Sequence, residues 1–119
     1  MISIDITGRT PIYEQIYRAV CSDIACGLLK ENDRIPPSRT LAQQLGLNPN
    51  TVAKAYQILE RDGIIYTAVG KGSFIANAKE KVTSALTGDF TEKARETLKM
   101  GVPAETLIEI IEKLKGETQ

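Results

Sequence analysis

IPPSRTLAQQLGLNPNTVAKAYQILERDGIIYTAVGKGSFIA, residues 35–76, is the stretch that decides the fold. Pro36-Pro37 cannot be helix interior. Ser38 is placed to cap a short helix from Arg39 to Leu45, with Leu41, Ala42 and Leu45 on its buried side. Gly46 supplies a turn and Leu47 packs under it. Asn48-Pro49 is a capping side chain followed by proline at the first helical position. The spacing predicts a second helix from Pro49 to about Arg61. Val52, Ala55, Tyr56 and Leu59 share its core face with Ile58 at the edge, and Asn50, Thr51 and Lys54 fall opposite. Asp62-Gly63 stops it. Ile64 to Val69 and Ser73 to Ala76 are rich in β-branched and aromatic residues. Gly70-Lys71-Gly72 between them permits positive φ, so these runs form a hairpin. Helix, turn, helix and hairpin in that order make a helix-turn-helix followed by a wing.

Outward from this core, Ile2, Ile4 and Ile6 alternate with Ser3 and Asp5, the pattern of a short half-buried strand. Thr10-Pro11 opens a helix whose apolar stripe (Ile12, Ile16, Val20, Ile24, with Ala19) runs through Cys26 and ends at Gly27. Leu28 to Ile35 reads as a charged connector. On the other side, Val82, Leu86, Phe90, Ala94 and Leu98 recur every four residues across Gly88, predicting one long helix that ends at Gly101, with Gly88 as the site of any kink. Pro103 opens a last helix to about Lys115. Leu107, Ile108, Ile110, Ile111 and Leu114 cover an arc of roughly 160° on it, too wide for one helix partner. The expected class is mainly α (α+β): a winged helix-turn-helix domain over 1–77, then a C-terminal helical hairpin for dimerisation over 78–119. Phe90, Leu98, Leu107, Ile108, Ile111 and Leu114 are its seam.

Composition narrows the function. Fifteen basic residues balance fifteen acidic ones in 119 residues, and 42% are hydrophobic. That is a folded chain rather than a disordered one or a nonspecific nucleic-acid coat. The charge is nevertheless uneven: from Arg34 to Leu59 there are Arg34, Arg39 and Lys54 and no Asp or Glu. This acid-free window is where a polyanion is tolerated. No apolar run approaches the roughly 20 residues of a membrane span, and no signal sequence opens the chain, so a cytoplasmic protein without membrane contact is expected. Cys21 and Cys26 with no histidine are too few soft ligands for a zinc site. They read as two thiols in or near a helix interior. No metal, cofactor or catalytic residue is expected.

A helix-turn-helix binds DNA through the acid-free polar face of its second helix, with first-turn N–H groups directed at phosphate. Here that face offers Asn48, Asn50 and Thr51, with Lys54 one turn on. Asparagine can pair bidentately with adenine, and threonine can meet a phosphate or a thymine methyl. Asn48 serves equally well as a helix cap. Arg39 opposes the dipole of its own helix, a cost that a phosphate contact would offset. Lys71, flanked by glycines, can reach from the wing tip, with Gly72 and Ser73, toward backbone or minor groove. Tyr13, Tyr17, Tyr56 and Tyr66 read as core or edge packing.

PIYEQI at 11–16, the helix with Arg39, LGLNPNTVAKAYQILERDGII at 45–65 and GKGSFIA at 70–76 resemble the GntR family of bacterial transcription regulators. NPNTVAKAY with a short helical tail is similar to the YtrA-type subfamily. The resemblance implies a winged-helix domain, a homodimer on a palindromic double-stranded operator, and repression of the regulator's own operon or of neighbouring transporter genes. By position Arg39 matches the family's DNA-touching arginine, Thr51 its recognition-helix threonine, and Lys71 to Ser73 its wing tip. Two departures stand out. Pro37 replaces the family's common serine, and Asn48-Pro49 replaces the Ser-Arg with which many members open the recognition helix. Larger members carry a ligand-binding or aminotransferase-like domain, for which these residues leave no room.

Two other function classes compete. A winged helix that binds only protein would carry an apolar patch in place of Asn50, Thr51 and Lys54. An enzyme would need an acid–base pair that this chain does not supply. A small-molecule effector stays open, but the tail offers little pocket, so a ligand would sit between domains or across the dimer.

Overall fold

Apolar residues four apart need a partner along the whole helix, and the first helix has one. In the computed structural model, which describes residues 4–118, α1 (Ile12–Ala25) buries Ile16, Val20, Cys21 and Ile24. It packs on α3 (Pro49–Arg61), whose buried face is Val52, Ala55, Tyr56 and Leu59. The other side of that wedge is α2 (Ser38–Leu45), with Leu41 and Ala42 buried. Full burial of one such aliphatic side chain stabilises by about 1.5–3 kcal/mol, and Ile16, Val52 and Leu59 are all at 0% exposure.

A three-stranded antiparallel sheet closes the core, in the order β1 (Arg34–Ile35), β3 (Gly72–Ile75), β2 (Ile65–Ala68). Ile65 pairs with Ile75 and Ala68 with Gly72, so the hairpin loop is Val69-Gly70-Lys71. Arg34 pairs with Phe74 and Ile35 with Ser73. Strand β1 corrects the expectation of an unstructured connector: Asn32 and Asp33 also bond Ile75 through the backbone. Two residues are too few to show alternation, and the ladder partner lies some forty positions away. The expected N-terminal strand falls partly on residues outside those described; from Ile4 to Ile6 the chain is not strand.

Two helix starts also differ. Thr10 and Ser38 do not cap. Pro11 and Pro37 occupy the cap positions without a side-chain bond, and Ser38 is the first residue of α2. Gln15 instead holds the chain before α1, donating to the carbonyls of Asp5 and Thr10 and accepting from Asp5 N–H. Asn48 caps as expected: its Oδ1 accepts from Asn50 N–H at 2.8 Å. Gly46 ends α2 at φ 67°, the left-handed conformation that lets Leu47 N–H reach back to Ala42.

The chain divides into two compact units, Met1–Thr83 and Ser84–Gln119. Helix α4 (Lys79–Lys99) is unbroken through Gly88; Ala78 just before it and Val82 near its start are buried in the first unit. In the second unit the rest of α4 precedes α5 (Ala104–Glu117), whose cap position is Pro103.

Asp62 ties three elements of the first unit together. Tyr17 on α1 donates to its carboxylate at 2.7 Å, and Lys81 on α4 donates to its backbone carbonyl at 3.0 Å. The Tyr17 bond, then that from Arg61, holds the Asp62 carboxyl below its ordinary value; burial and the same bond raise the Tyr17 hydroxyl. A depressed carboxyl stabilises the fold above its unfolded value near 3.8 and loses that contribution as pH falls through the folded value. Tyr17→Phe should therefore move the Asp62 carboxyl titration, followed by side-chain 13C NMR, upward and shrink the loss of stability on acidification. An unmoved midpoint would show that Tyr17 does not set it.

Candidate nucleic-acid interface

The start of α2 is chemically unsatisfied. The first N–H groups of a helix have no partner within it, and here proline at the cap position supplies no side-chain acceptor. Leu41 N–H bonds Pro37, but among the described residues the N–H groups of Ser38, Arg39 and Thr40 have no acceptor. Arg39 adds an exposed cation at the same helix end and makes no ion pair among the described residues. Open amides and an uncompensated guanidinium together suit an anion.

At α3 the situation is reversed. Pro49 has no N–H, Asn50 N–H goes to the Asn48 side chain, and Thr51 N–H goes to the Asn48 carbonyl. The expectation of first-turn amides facing phosphate thus belongs to α2 and not to α3. What α3 presents is side chains: Asn48, Asn50 and Lys54 are exposed and Thr51 half-buried, opposite the core face. The Lys54 ammonium sits 4.1 Å from the centre of the Tyr13 ring, a cation–π contact that holds it against α1. Tyr56 is buried, with its hydroxyl pushed up to about 12 by burial and donating to Pro36 at 2.5 Å. That bond fixes the Pro-Pro entry to α2 on the recognition helix.

The hairpin stands beside the far end of α3, where Thr67 Oγ1 donates to Glu60 at 3.1 Å. Lys71 lies in the three-residue loop and is exposed; Gly72 and Ser73 open β3 and are half-buried. Ser73 Oγ lies 3.5 Å from Thr67 Oγ1 across the ladder, so it belongs to the wing's flank and not its tip. Sequence reading missed Val69, which is 97% exposed at the tip. Of the remaining tyrosines, Tyr66 stacks on Phe74 and donates to Asn32. The residues expected in the seam lie in the second unit: Phe90, Leu98, Ile108, Ile111 and Leu114 are 45–56% exposed, and Leu107 is half-buried. Among the described residues no group of acids and thiols could hold a metal ion, and no helix is long and apolar enough to cross a membrane.

A three-helix core, a polar second helix and an adjoining hairpin define a winged helix-turn-helix protein. Residues 12–75 match the family described as bacterial regulatory proteins, gntR family. The chain is 40% identical to the HTH-type transcriptional repressor YtrA of Bacillus subtilis (strain 168), over its whole length and 95% of that protein. Among solved structures it resembles a GntR family transcriptional regulator from Listeria monocytogenes (31% identity, TM-score 0.71, 92% of this chain and 98% of that one). It also resembles the AraR DNA-binding domain in complex with operator ORX1 (29% identity, TM-score 0.56, 63% and 96%). The chain belongs to the GntR family and is a DNA-binding transcriptional regulator, not an enzyme.

The two caps make opposite expectations. Asn48→Ala removes a bonded cap and should cost about 1 kcal/mol in urea denaturation. Ser38→Ala removes a hydroxyl that bonds nothing described and should leave stability within about 0.5 kcal/mol. Equal losses would place the Ser38 hydroxyl in a capping role.

Proposed function

We propose that this regulator is a cytoplasmic repressor that binds an inverted-repeat operator as a homodimer, with 1–77 as the DNA-binding domain and 78–119 as the dimerisation domain. The observation that carries it is the pairing of α2 and α3. One offers open amides and Arg39 for phosphate; the other offers Asn48, Asn50, Thr51 and Lys54 for base edges and backbone. Phosphate contacts fix register and base contacts give selectivity. Lys71, Gly72 and Ser73 bring the wing to the flanking backbone. No acid lies within α2 or the first half of α3 to oppose the approach. Repression fits the similarity to the repressor YtrA, and the operator fits the duplex held by the AraR domain.

The dimer is supported by exposure. Leu86, Phe90 and Leu98 on α4 and Ile108, Ile110, Ile111 and Leu114 on α5 leave an apolar surface on so small a unit, and such patches mark interaction sites. A two-fold axis through it would set two recognition helices about 34 Å, or a multiple, apart, which an inverted repeat mirrors.

Duplexes recovered by the intact chain from a random library should contain an inverted repeat. Asn50→Ala should lose about 1–3 kcal/mol on that site, relax preference at one position per half-site, and keep the salt slope. Arg39→Ala should weaken selected and random duplexes alike and flatten log K against log salt by about one unit. Ile111→Asp should convert a dimer into a monomer by light scattering, because it buries an unpaired charge. A wild-type monomer at micromolar concentration, or recovered sites without symmetry, would overturn the proposal.

A further inference from the structure

One cation of the acid-free window remains without a task. Arg34 lies on β1, where its neighbour Ile35 turns into the core at 6% exposure, so alternation sends Arg34 to the outer face of the sheet, beside Phe74. There its guanidinium crosses the backbone of Gly72. A Cβ built on Gly72 would meet Arg34 Nε at 3.1 Å and Nη2 at 3.4 Å. Gly72 also has φ 116°, so glycine at this point both permits the backbone and leaves the space that the guanidinium fills.

Arg34 has no acid of its own. Among the described residues its side chain makes no ion pair and no hydrogen bond, and two carboxylates of the same unit have partners of their own. Asp33 accepts from Lys30 N–H at 2.9 Å, and Glu60 accepts from Thr67. Lys71 precedes Gly72 directly, so two cations adjoin the end of the wing loop with no described counter-charge. Ladder pairing holds the arginine's backbone, and the glycine gap receives its head, which lowers the ordering cost of a contact.

We propose that Arg34 is a DNA contact, a bidentate clamp on a backbone phosphate beside the wing, and that Gly72 is glycine partly to seat it. Guanidinium supplies a planar fork that matches two phosphate oxygens, which an ammonium does not. The assignment rests on DNA binding by this face but adds a residue that the helix-turn-helix itself does not contain.

Fluorescence anisotropy of the full chain, on a duplex recovered by the wild type and on a mixed-sequence duplex across a salt series, tests it. Arg34→Gln should weaken both duplexes about tenfold at low salt and flatten log K against log salt by about one unit per protomer, with an unchanged thermal melt. Arg34→Lys should restore the slope but only part of the affinity. Gly72→Ala should weaken binding in the wild-type background and far less in the Arg34→Gln background, where no guanidinium is displaced. Wild-type affinity and slope in Arg34→Gln would overturn the proposal while leaving DNA binding intact. So would equal losses from Gly72→Ala in both backgrounds, or a loss confined to the selected duplex. Failure of the wild type to bind either duplex would overturn DNA binding itself, and Arg34's role with it.

Discussion

The first unit is organised around the apolar face of α3. Val52, Ala55, Tyr56 and Leu59 face α1 on one flank and α2 on the other, and the C-terminal end of the helix meets β2. Helices with a wide apolar stripe need partners on more than one side, and three elements supply them. The consequence is that the opposite face of α3 is displayed on a rigid mount. Asn50 and Lys54 are exposed because Val52 and Ala55 are not. Tyr56 extends this control to the entry of α2 through its bond to Pro36, so the same helix that exposes Asn50 and Lys54 also fixes the open amides next to it.

The distribution of caps divides the labour between the two helices. A helix end in water can hydrate its first amides, so an uncapped start is tolerated at the surface, but it is less stable than a capped one. The two starts in this chain make opposite choices within a dozen residues. Asn48 and Pro49 satisfy or remove the first amides of α3, which suits a helix that presents side chains to base edges. Pro37 withholds a side-chain acceptor from α2, and Arg39 adds a charge that its dipole disfavours. Both features lose stability in the free protein, and one anion at this helix end would relieve both. Overall neutrality of the chain then favours selectivity: the longest acid-free run, Arg34 to Leu59, and the acid-free run over the wing, Gly63 to Lys79, are where a polyanion meets least repulsion.

Periodicity made most of this legible before any coordinates. The limits of α3, its core face, the Asn48 cap and the hairpin follow from residues that act locally, within one turn or one strand of their partners. The failures have two causes. Strand β1 is two residues long and depends on Phe74 and Ser73, far along the chain. Ser38 and Thr10 carry capping chemistry, but each is displaced by one position because the proline beside it takes the cap backbone conformation. The tethering of Lys54 by Tyr13 joins two helices, and the placing of Arg34 over Gly72 joins a strand to a turn. Apart from those two caps, which a neighbouring proline decides, local pattern contains none of these, since each is a tertiary contact between residues whose types are individually unremarkable in sequence.

The second unit shows the complementary lesson. Its helices are as legible as those of the first, yet burial on α5 is absent among the described residues, and α4 buries only Val82, in the first unit. A sequence that spaces Leu107, Ile108, Ile111 and Leu114 for burial, in a single chain that does not bury them, lacks the surface they were spaced for. Burying side chains of this size is worth more than a kilocalorie each, about 1.5–3 kcal/mol, so leaving them in water discards much of what would hold α5 in place. The core of the first unit has no such deficit: its residues from Ile16 to Val82 are closed within one copy. The two units therefore differ in what completes them. The first closes its core within its own chain and leaves cations without ion-pair partners, Arg39 at the start of α2 and Arg34 and Lys71 by the wing. The second pairs Glu92 with Arg95 and Lys93 with Glu96 on α4 and leaves large apolar side chains exposed. A polyanion would answer the first and a second copy of the chain the other, which is why DNA binding and self-association belong to one proposal.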